Sequence, residues 1–345
     1  MTPGGGGTMP KLGKHRFFMI FAAALGLAAC THSPFRPTLK QYGKIIQEPS
    51  GSAEERKELK VTFWGVSSLA FSDDKGTILL DGFASRPPLT KLLFSRLKPH
   101  ETRIKEALAS LPPSSPVLAI FVAHSHYDHA MDAPTISKSA SARIFGSSST
   151  RAIAAAEGIS EAQISELEDG STHIIGNFTI RSFVTQHARK ERFSGTIGQH
   201  TPPARIGDYK TGLNYSFFIQ KGECSILVVP SAGRVGEAFR GLKADVVFLG
   251  IGELGKKDKV WVDQYWNETI GEVLPKVIVP IHWDDFSQEI RADPLPMFGF
   301  VDPIEKTMRV LDEKAKKSAI KLLLPIAMRA VNLDNLGECD SKEPR

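Results

Sequence analysis

Short apolar segments alternate with polar ones along most of the 345-residue chain. Residues 117–123 are the clearest strand, because a continuous apolar run of this length is typical of a strand buried on both faces. Residues 61–71 and 77–81 predict two strands joined by a turn at residues 73–76, which read DDKG. Further strands are predicted at residues 179–185, 213–220, 225–229, 245–249, 276–280 and 321–324.

Two helices are predicted from the signals at their ends. Residues 150–157 are compatible with a helix that stops at Gly158, where a positive φ is favoured. Asp302-Pro303 followed by Glu305 supplies a capping side chain, a proline at the first helical position and an acid in the first turn. This second helix is predicted to end near Lys317. Many strands interleaved with a few helices indicate a layered α/β domain.

The N-terminus has the pattern of an export signal. Basic residues at 11–16 precede an apolar run at 17–29, which is too short to span a bilayer. The run ends in Leu-Ala-Ala-Cys at 27–30, which resembles the processing site of bacterial lipoproteins and implies a signal peptide over 1–29 and lipid on Cys30. By the same resemblance Thr31 favours an outer-membrane protein that faces the periplasm. An ordinary signal peptide that happens to precede a cysteine is the alternative.

Charge argues against nucleic acid as a partner. The chain has 43 Lys+Arg and 38 Asp+Glu, and three of the basic residues (Lys11, Lys14 and Arg16) lie in the predicted signal. The remaining 40 basic residues nearly balance the 38 acidic ones, so no basic stripe is available for a phosphate backbone. A membrane contact is expected only through the lipid anchor.

The rest of the chain divides into three parts. The polar residues 30–57 are predicted to be a flexible tether, 58–335 a single domain and 336–345 a polar tail. Cys224 and Cys339 would be able to pair in an oxidising compartment. Two cysteines make no disulfide framework, however, and Cys339 lies in the tail, so the sequence favours free thiols.

Metal-ligand side chains follow directly after the predicted buried strand. Residues 124–129 read HSHYDH, which places three of the ten histidines and one acid within six residues. Imidazole and carboxylate are ligands that Zn²⁺, Fe and Mn²⁺ share. Loop residues two apart can converge on one ion while the following Asp-His pair turns toward a second. A polar surface cluster is the alternative, which the apolar strand before the loop disfavours.

This segment resembles the HxHxDH signature of the metallo-β-lactamase superfamily, and the resemblance covers roughly residues 60–330. Residues 184–187 (VTQH) and 280–283 (PIHW) match the stretches that end in two further metal histidines. The PxHW form is typical of the branch that contains N-acyl-phosphatidylethanolamine phospholipase D and L-ascorbate-6-phosphate lactonase. The resemblance implies a four-layer αββα sandwich with metals at the sheet edges.

The resemblance also implies two metal sites and the roles of their residues. The first site would consist of His124, His126 and His187, and the second of Asp128, His129 and His282. Asp128 would in addition orient or deprotonate the attacking water. Asp81 would orient the metal loop, or else be a turn aspartate before Gly82. Zn²⁺ is the implied cofactor, with Fe or Mn as alternatives.

Ser231 departs from the family pattern. Members usually carry a GDTG element whose Asp bridges both metals, whereas residues 230–233 here read PSAG. A neutral hydroxyl cannot offset the repulsion of two cations, so we predict one tightly bound metal and a second that is weak or absent. Glu253, at the far end of the next strand, is the alternative bridge, since Asp245 matches the start of that strand.

The segment between His187 and residue 213 is rich in basic residues. We predict that Arg192 and Arg205 bind an anionic substrate, because guanidinium groups suit phosphate and carboxylate; a solvated basic loop is the alternative. Together the features predict a lipid-anchored, metal-dependent hydrolase that cleaves an ester, phosphodiester, lactone or amide bond in a small molecule or lipid. The alternatives are a metal-binding lipoprotein without turnover and a purely structural envelope protein.

Overall fold

The computed structural model describes residues 35–45, 59–188 and 191–333, so the predicted signal peptide, Cys30 and the polar tail lie outside it. These residues form two β-sheets, with strands numbered along the chain. The first sheet has the order β15 (Ala330–Asn332), β2 (Lys60–Phe63), β3 (Leu69–Ser72), β4 (Thr77–Leu80), β5 (Val117–Phe121), β6 (Arg143–Gly146) and β7 (Ile164–Glu166). The second has the order β1 (Gly43–Lys44), β14 (Lys321–Leu324), β13 (Val277–Ile281), β12 (Val246–Gly250), β11 (Cys224–Val229), β10 (Asn214–Lys221), β9 (Phe178–Thr185) and β8 (Thr172–Ile175).

Helices cover the outer faces of both sheets. On the first sheet lie α1 (Leu89–Phe94), α2 (Glu101–Ala109), α3 (Tyr127–Ala130), α4 (Ala133–Ala140) and α5 (Ser148–Ala156). On the second lie α6 (Lys259–Trp266), which continues as a π-helix over Asn267–Gly271, and α7 (Ile304–Lys317). The predicted αββα sandwich is therefore confirmed. None of the helices in the described ranges is long and apolar enough to cross a membrane.

The four layers explain the continuous apolar strands. In β5, Ala119 and Phe121 belong to the core between the sheets, whereas Ile120 packs in the core beneath the helices. In β12, Phe248 faces the inner core and Val247 the outer one. Because both faces of these strands are buried, an alternating pattern of polar residues would be destabilising.

Both predicted helices form, and α7 shows why. Its residues Ile304, Met308, Leu311 and Ala315 follow the 3.6-residue period and are buried on one face against the second sheet. Its start differs from the prediction in one detail. The side chain of Asp302 does not cap the helix, because its Oδ2 accepts a hydrogen bond from the backbone N–H of Glu253 at 2.7 Å.

The prediction of one strand over residues 61–71 is wrong. The chain turns back between β2 and β3, where the N–H of Trp64 donates to the carbonyl of Ser68 at 2.9 Å. Gly65 and Val66 have φ values of 87° and 54°, which a strand does not tolerate. The hairpin between β3 and β4 is confirmed, and Asp73 closes it with a hydrogen bond from its N–H to the carbonyl of Gly76 at 3.0 Å.

The predicted tether is shorter than residues 30–57. Within the described residues 35–45, β1 pairs in parallel with β14, and the guanidinium of Arg36 forms a buried ion pair with Asp285 at 2.5 Å. The expectation of free thiols is also wrong for Cys224, which is disulfide-bonded at the start of β11. The other two cysteines of the chain, Cys30 and Cys339, lie outside the described residues.

Candidate metal centre

The predicted ligands meet at strand ends that belong to both sheets. The 124–129 segment follows β5 of the first sheet, while His187 follows β9 and His282 follows β13 of the second. The structure sorts the six side chains into two groups, in each of which the ligand atoms lie within 4.8 Å of one another. The first group is His124, His126 and His187, and the second group is Asp128, His129 and His282.

The first group consists of three imidazoles. His124 Nε2 lies 3.0 Å from His126 Nδ1, and the ring of His187 lies 4.6 Å from that of His124 and 4.9 Å from that of His126. Two nitrogens that share a tetrahedral zinc at ordinary bond lengths are about 3.3 Å apart. The spacing of His124 and His126 is close to this value, so the group suits a tetrahedral ion.

The second group contains a carboxylate between two imidazoles. Asp128 Oδ2 lies 3.7 Å from the Nε2 atoms of both His129 and His282. His129 Nε2 is buried and, within the described ranges, has no hydrogen-bond partner. Such an atom is costly to leave unsatisfied, and a divalent cation between these three atoms would satisfy it. The residues therefore fit a metal.

Asp81 lies directly behind the second group. Its Oδ2 is 2.8 Å from His129 Nδ1, and its Oδ1 accepts a hydrogen bond from the N–H of Ala123 at 2.8 Å. The hydroxyl of Ser67 donates to the same Oδ2 at 2.5 Å. A carboxylate in this place fixes the orientation and tautomer of a metal-binding histidine. Ser67 comes from the turn between β2 and β3, and no local pattern marks it as part of the site.

Two residues that sequence reasoning missed contact the first group. Glu191 Oε2 lies 3.0 Å from His187 Nδ1, and Thr211 Oγ1 lies 3.1 Å from His126 Nε2. This close contact with His187 lowers the pKa of Glu191 against the opposing effect of burial. Both residues come from the long segment between β9 and β10. The four-residue spacing from His187 was the one available signal for Glu191.

Burial keeps most of the ligands in the form that binds a metal. It lowers the pKa of His124 and of His282, and it lowers the pKa of His126 to about 4. For Asp128, burial raises the pKa, but the neighbouring imidazoles outweigh this effect and the net shift is downward. For His129, burial lowers the pKa, and the carboxylates of Asp81 and Asp128 outweigh it, so the net shift is upward.

Residues 78–283, which are more than half of the chain, match the sequence model of the β-lactamase superfamily domain. The chain belongs to the metallo-β-lactamase superfamily. No curated protein matches it significantly. The predicted superfamily is thus confirmed, while the branch suggested by residues 280–283 stays a prediction.

Solved structures share the fold of this metallo-β-lactamase superfamily member at low sequence identity. CmlA, a diiron β-hydroxylase from Streptomyces venezuelae, is 13% identical with a TM-score of 0.52, over 83% of this chain and 55% of that one. A possible metal-dependent hydrolase from Veillonella parvula is 14% identical with a TM-score of 0.50, over 80% and 100%. Igni18, a metallo hydrolase from Ignicoccus hospitalis, is 18% identical with a TM-score of 0.47, over 79% and 97%. For CmlA and the Veillonella parvula protein, the likeness at these identities shows the fold.

Two glycines of this superfamily member let the chain approach its ligand histidines. A Cβ on Gly233 would lie 1.8 Å from the carbonyl oxygen of Gln186, just before His187. A Cβ on Gly252 would lie 2.9 Å from His282 Nδ1. Both distances are shorter than any tolerated contact, so larger side chains at these positions would displace the histidines.

Ser231 and Glu253 are both engaged in other contacts. The Ser231 hydroxyl donates to Asn214 Oδ1 at 3.0 Å, and the Asn214 amide in turn donates to Thr185 Oγ1 at 3.0 Å. The Glu253 carboxylate is half-exposed and accepts a hydrogen bond from Lys256 Nζ at 2.7 Å. In the described part of the chain, neither side chain is hydrogen-bonded to a candidate ligand.

The predicted substrate-binding arginines are both exposed at the surface. Arg192 follows Glu191 directly, whereas Arg205 begins the short 3-10 turn Ile206–Asp208. The same long segment does form a cavity of about 320 Å³, and neither arginine lines it. The structure therefore gives the segment a concave surface, but with different basic residues.

Proposed function

We propose that this protein is a metal-dependent hydrolase that acts on an ester, phosphodiester, lactone or amide bond. The observation that carries the proposal is the pair of ligand groups at the sheet edges, together with the unpartnered buried Nε2 of His129. When bound, a divalent ion lowers the pKa of its water to about 7 and polarises the bond under attack. Zn²⁺ suits the three imidazoles of the first group, and Fe or Mn suit the mixed second group.

The side chains around the groups divide the remaining work. Asp128 is ionised at neutral pH and projects between two imidazoles, so its carboxylate would accept a hydrogen bond from the attacking water and orient it. Asp81 contacts and orients the ring of His129. Glu191 contacts and orients the ring of His187. These two residues position ligands and do not touch the reacting atoms.

Ser231 supports a proposal about stoichiometry. A bridging carboxylate normally stabilises two neighbouring cations, and here a hydroxyl that donates to Asn214 takes its place. Glu253, the alternative bridge, is hydrogen-bonded to Lys256. We therefore expect one tightly bound metal in the first group and a weak or empty second group.

A specific observation also favours a second candidate function. The same serine would leave a metal-binding protein without turnover if hydrolysis requires two ions. The two candidates are separated by metal analysis of the predicted mature protein, purified without chelator, together with turnover of a p-nitrophenyl ester and a bis-p-nitrophenyl phosphodiester. Metal without turnover on a broad panel would support the second candidate, and absence of metal would contradict both.

We also propose that the protein is exported and anchored through lipid on Cys30 to the bacterial outer membrane, facing the periplasm. The signal pattern at residues 11–30 supports export, and the disulfide at Cys224 suits an oxidising compartment. Cys30→Ala should abolish labelling by a fatty-acid probe, because the thioether requires this sulfur. Labelling that persists in the variant would contradict the anchor.

A further inference from the structure

The cavity of about 320 Å³ is separate from the two ligand groups and lies in the segment that follows His187. The cavity is lined by residues 196–201, by Asp208 and Lys210, and by Arg96 from the region after α1. The two regions are held together by the backbone pairing of Leu97 with Ala204. The cavity is therefore built from two distant parts of the sequence.

The charged side chains in its wall are mainly cationic. Arg96 donates a hydrogen bond from Nη1 to the carbonyl of Pro203 at 3.1 Å, and within residues 35–45, 59–188 and 191–333 neither Arg96 nor Lys210 forms an ion pair. Asp208 is the one acid of the lining, and its Oδ2 already accepts a hydrogen bond from the N–H of Arg205 at 2.7 Å. Two cations that have no carboxylate partner among the described residues thus line the same cavity.

His200 adds a neutral hydrogen-bonding group to this wall. Its side chain is only 7% exposed, and among the described residues its Nε2 has no hydrogen-bond partner. The ring packs 4.9 Å from that of Tyr209, and burial lowers the pKa of His200. A buried imidazole with a free nitrogen needs a polar partner. Because this nitrogen has almost no accessible surface, a ligand in the cavity that His200 lines would provide the partner after a small turn of the ring.

The cavity is linked to the candidate metal centre through the backbone. Lys210 immediately precedes Thr211, whose hydroxyl lies 3.1 Å from His126 Nε2. The N–H of Thr211 donates to the carbonyl of Phe193 at 3.1 Å, and the N–H of Gly212 donates to that of Gly195 at 2.8 Å. These bonds hold the wall that carries Lys210 next to the first group.

We propose that this cavity binds the anionic group of the substrate, a phosphate or a carboxylate. Arg96 and Lys210 supply the positive charge, and His200 supplies a neutral hydrogen bond. This assignment replaces Arg192 and Arg205 as the anion-binding residues of the segment. That the anion belongs to the substrate rests on the proposed hydrolase, whereas anion binding itself does not.

The direct test is a titration of the predicted mature protein with inorganic phosphate, followed by NMR of ¹⁵N-labelled histidines. Phosphate also binds metal ions, so the signal of His200, assigned with His200→Gln, distinguishes the cavity from the metal centre. We expect this signal to shift and saturate. In Arg96→Ala/Lys210→Ala the phosphate Kd measured on it should rise ~10-fold or more, because two charge-assisted contacts are lost. A parallel titration with acetate determines whether the cavity prefers phosphate or carboxylate.

Two further variants keep the test independent of folding defects. Arg205→Ala removes an exposed arginine of the same segment from outside the cavity and should leave the Kd unchanged. Asp208→Asn keeps an oxygen that can accept from Arg205 but removes the negative charge, so it should tighten phosphate binding several-fold. An unresponsive His200 signal, or equal weakening in Arg205→Ala and the double variant, would overturn the inference.

The outcome is separable from that of the hydrolase proposal. If the protein hydrolyses a neutral ester but its His200 signal shifts with neither anion, the hydrolase proposal is supported and the anion cavity is contradicted. Saturable binding at His200 in a protein without any turnover would support the anion cavity and contradict the hydrolase. Where both hold, the double variant should raise KM for an anionic ester and leave KM for a neutral one unchanged.

Discussion

The two ligand groups lie side by side but are supported by different parts of the fold. The rings of His124 and His129, one from each group, have centroids only 3.7 Å apart. Behind His129, the carboxylate of Asp81 and the hydroxyl of Ser67 are both completely buried. Behind His187, Glu191 is partly exposed, with 24% of its side chain accessible, and belongs to the long segment between β9 and β10.

Rigidity and ligand type therefore differ between the two groups. The second group is fixed by the ends of core strands, because Asp81 follows β4 and is hydrogen-bonded to the chain just after β5. The first group has three ligands of one kind, but its outer contacts depend on a surface segment. We therefore expect the first group to bind metal more tightly and the second to be more sensitive to changes in its support.

The largest effect is expected from removal of a first-group ligand. His187→Ala leaves two imidazoles, too few for a catalytic zinc site, so tight metal should be lost and turnover should fall by more than ~100-fold. The matched control is His100→Ala, which removes an exposed histidine at the start of α2. Metal analysis and initial rates report both. Full metal content in His187→Ala would show that the second group holds the tight ion.

Loss of a residue that contacts a candidate ligand from behind should have a smaller effect. Such variants compare the support of the second group, by Asp81, with that of the first, by Glu191. Asp81→Asn should weaken binding to the second group by ~10–100-fold, as is typical of such partners. Glu191→Gln should weaken the first group less, since water can replace the partly exposed carboxylate. Competition with a chelator measures each affinity. If Glu191→Gln loses more metal affinity than Asp81→Asn does, burial does not make the outer contact of the second group the more important one.

Ser231→Asp should raise the metal content from about one toward two ions per chain. The new carboxylate supplies the charge that two neighbouring cations require. Ser231→Asn is the control, because asparagine has nearly the same shape as aspartate but carries no charge. Two tightly held ions in the unaltered protein would refute the role given to Ser231, and would indicate another bridge.

The main elements of the fold were predictable where burial alone decides them. The apolar run of β5 and the single buried face of α7 need no knowledge of distant residues. The turn between β2 and β3 does need it. Val66 adopts a left-handed φ because its N–H donates to Asp284 Oδ1 at 2.8 Å and its carbonyl accepts from the N–H of His282 at 2.6 Å. A β-branched residue gives no sequence signal for such a turn.

The candidate site also has parts that local sequence predicts and parts that depend on distant residues. The six candidate ligands follow from the resemblance of residues 124–129, 184–187 and 280–283 to the superfamily's motifs, and the structure brings them together in two groups. Ser67 and Thr211 were missed because single polar residues reach the candidate ligands only through tertiary contacts. Arg96 enters the cavity through the pairing of Leu97 with Ala204, which no local pattern reveals. The abundance of charge between His187 and β10 predicted Arg192 and Arg205, which do not line the cavity of this segment.

The smallest expected effect concerns a buried acid behind the second group. Burial raises the pKa of Asp302 to about 6, and its Oδ2 accepts a hydrogen bond from the N–H of Glu253, next to the glycine that contacts His282. The folded state therefore holds this proton more tightly than the unfolded state does. The free energy of unfolding should fall as the pH rises from about 4 to about 6, by on the order of 1–3 kcal/mol, and stay lower above that window.

Asp302→Asn cannot ionise and still offers an oxygen to Glu253, so it should be more stable than the unaltered protein at pH 7 and similar to it at pH 4. Urea unfolding at both pH values measures this, with Asp258→Asn, at the N-terminus of α6, as the control for an acid-to-amide change. Equal effects of Asp302→Asn at pH 4 and pH 7 would show that the buried charge carries no such cost.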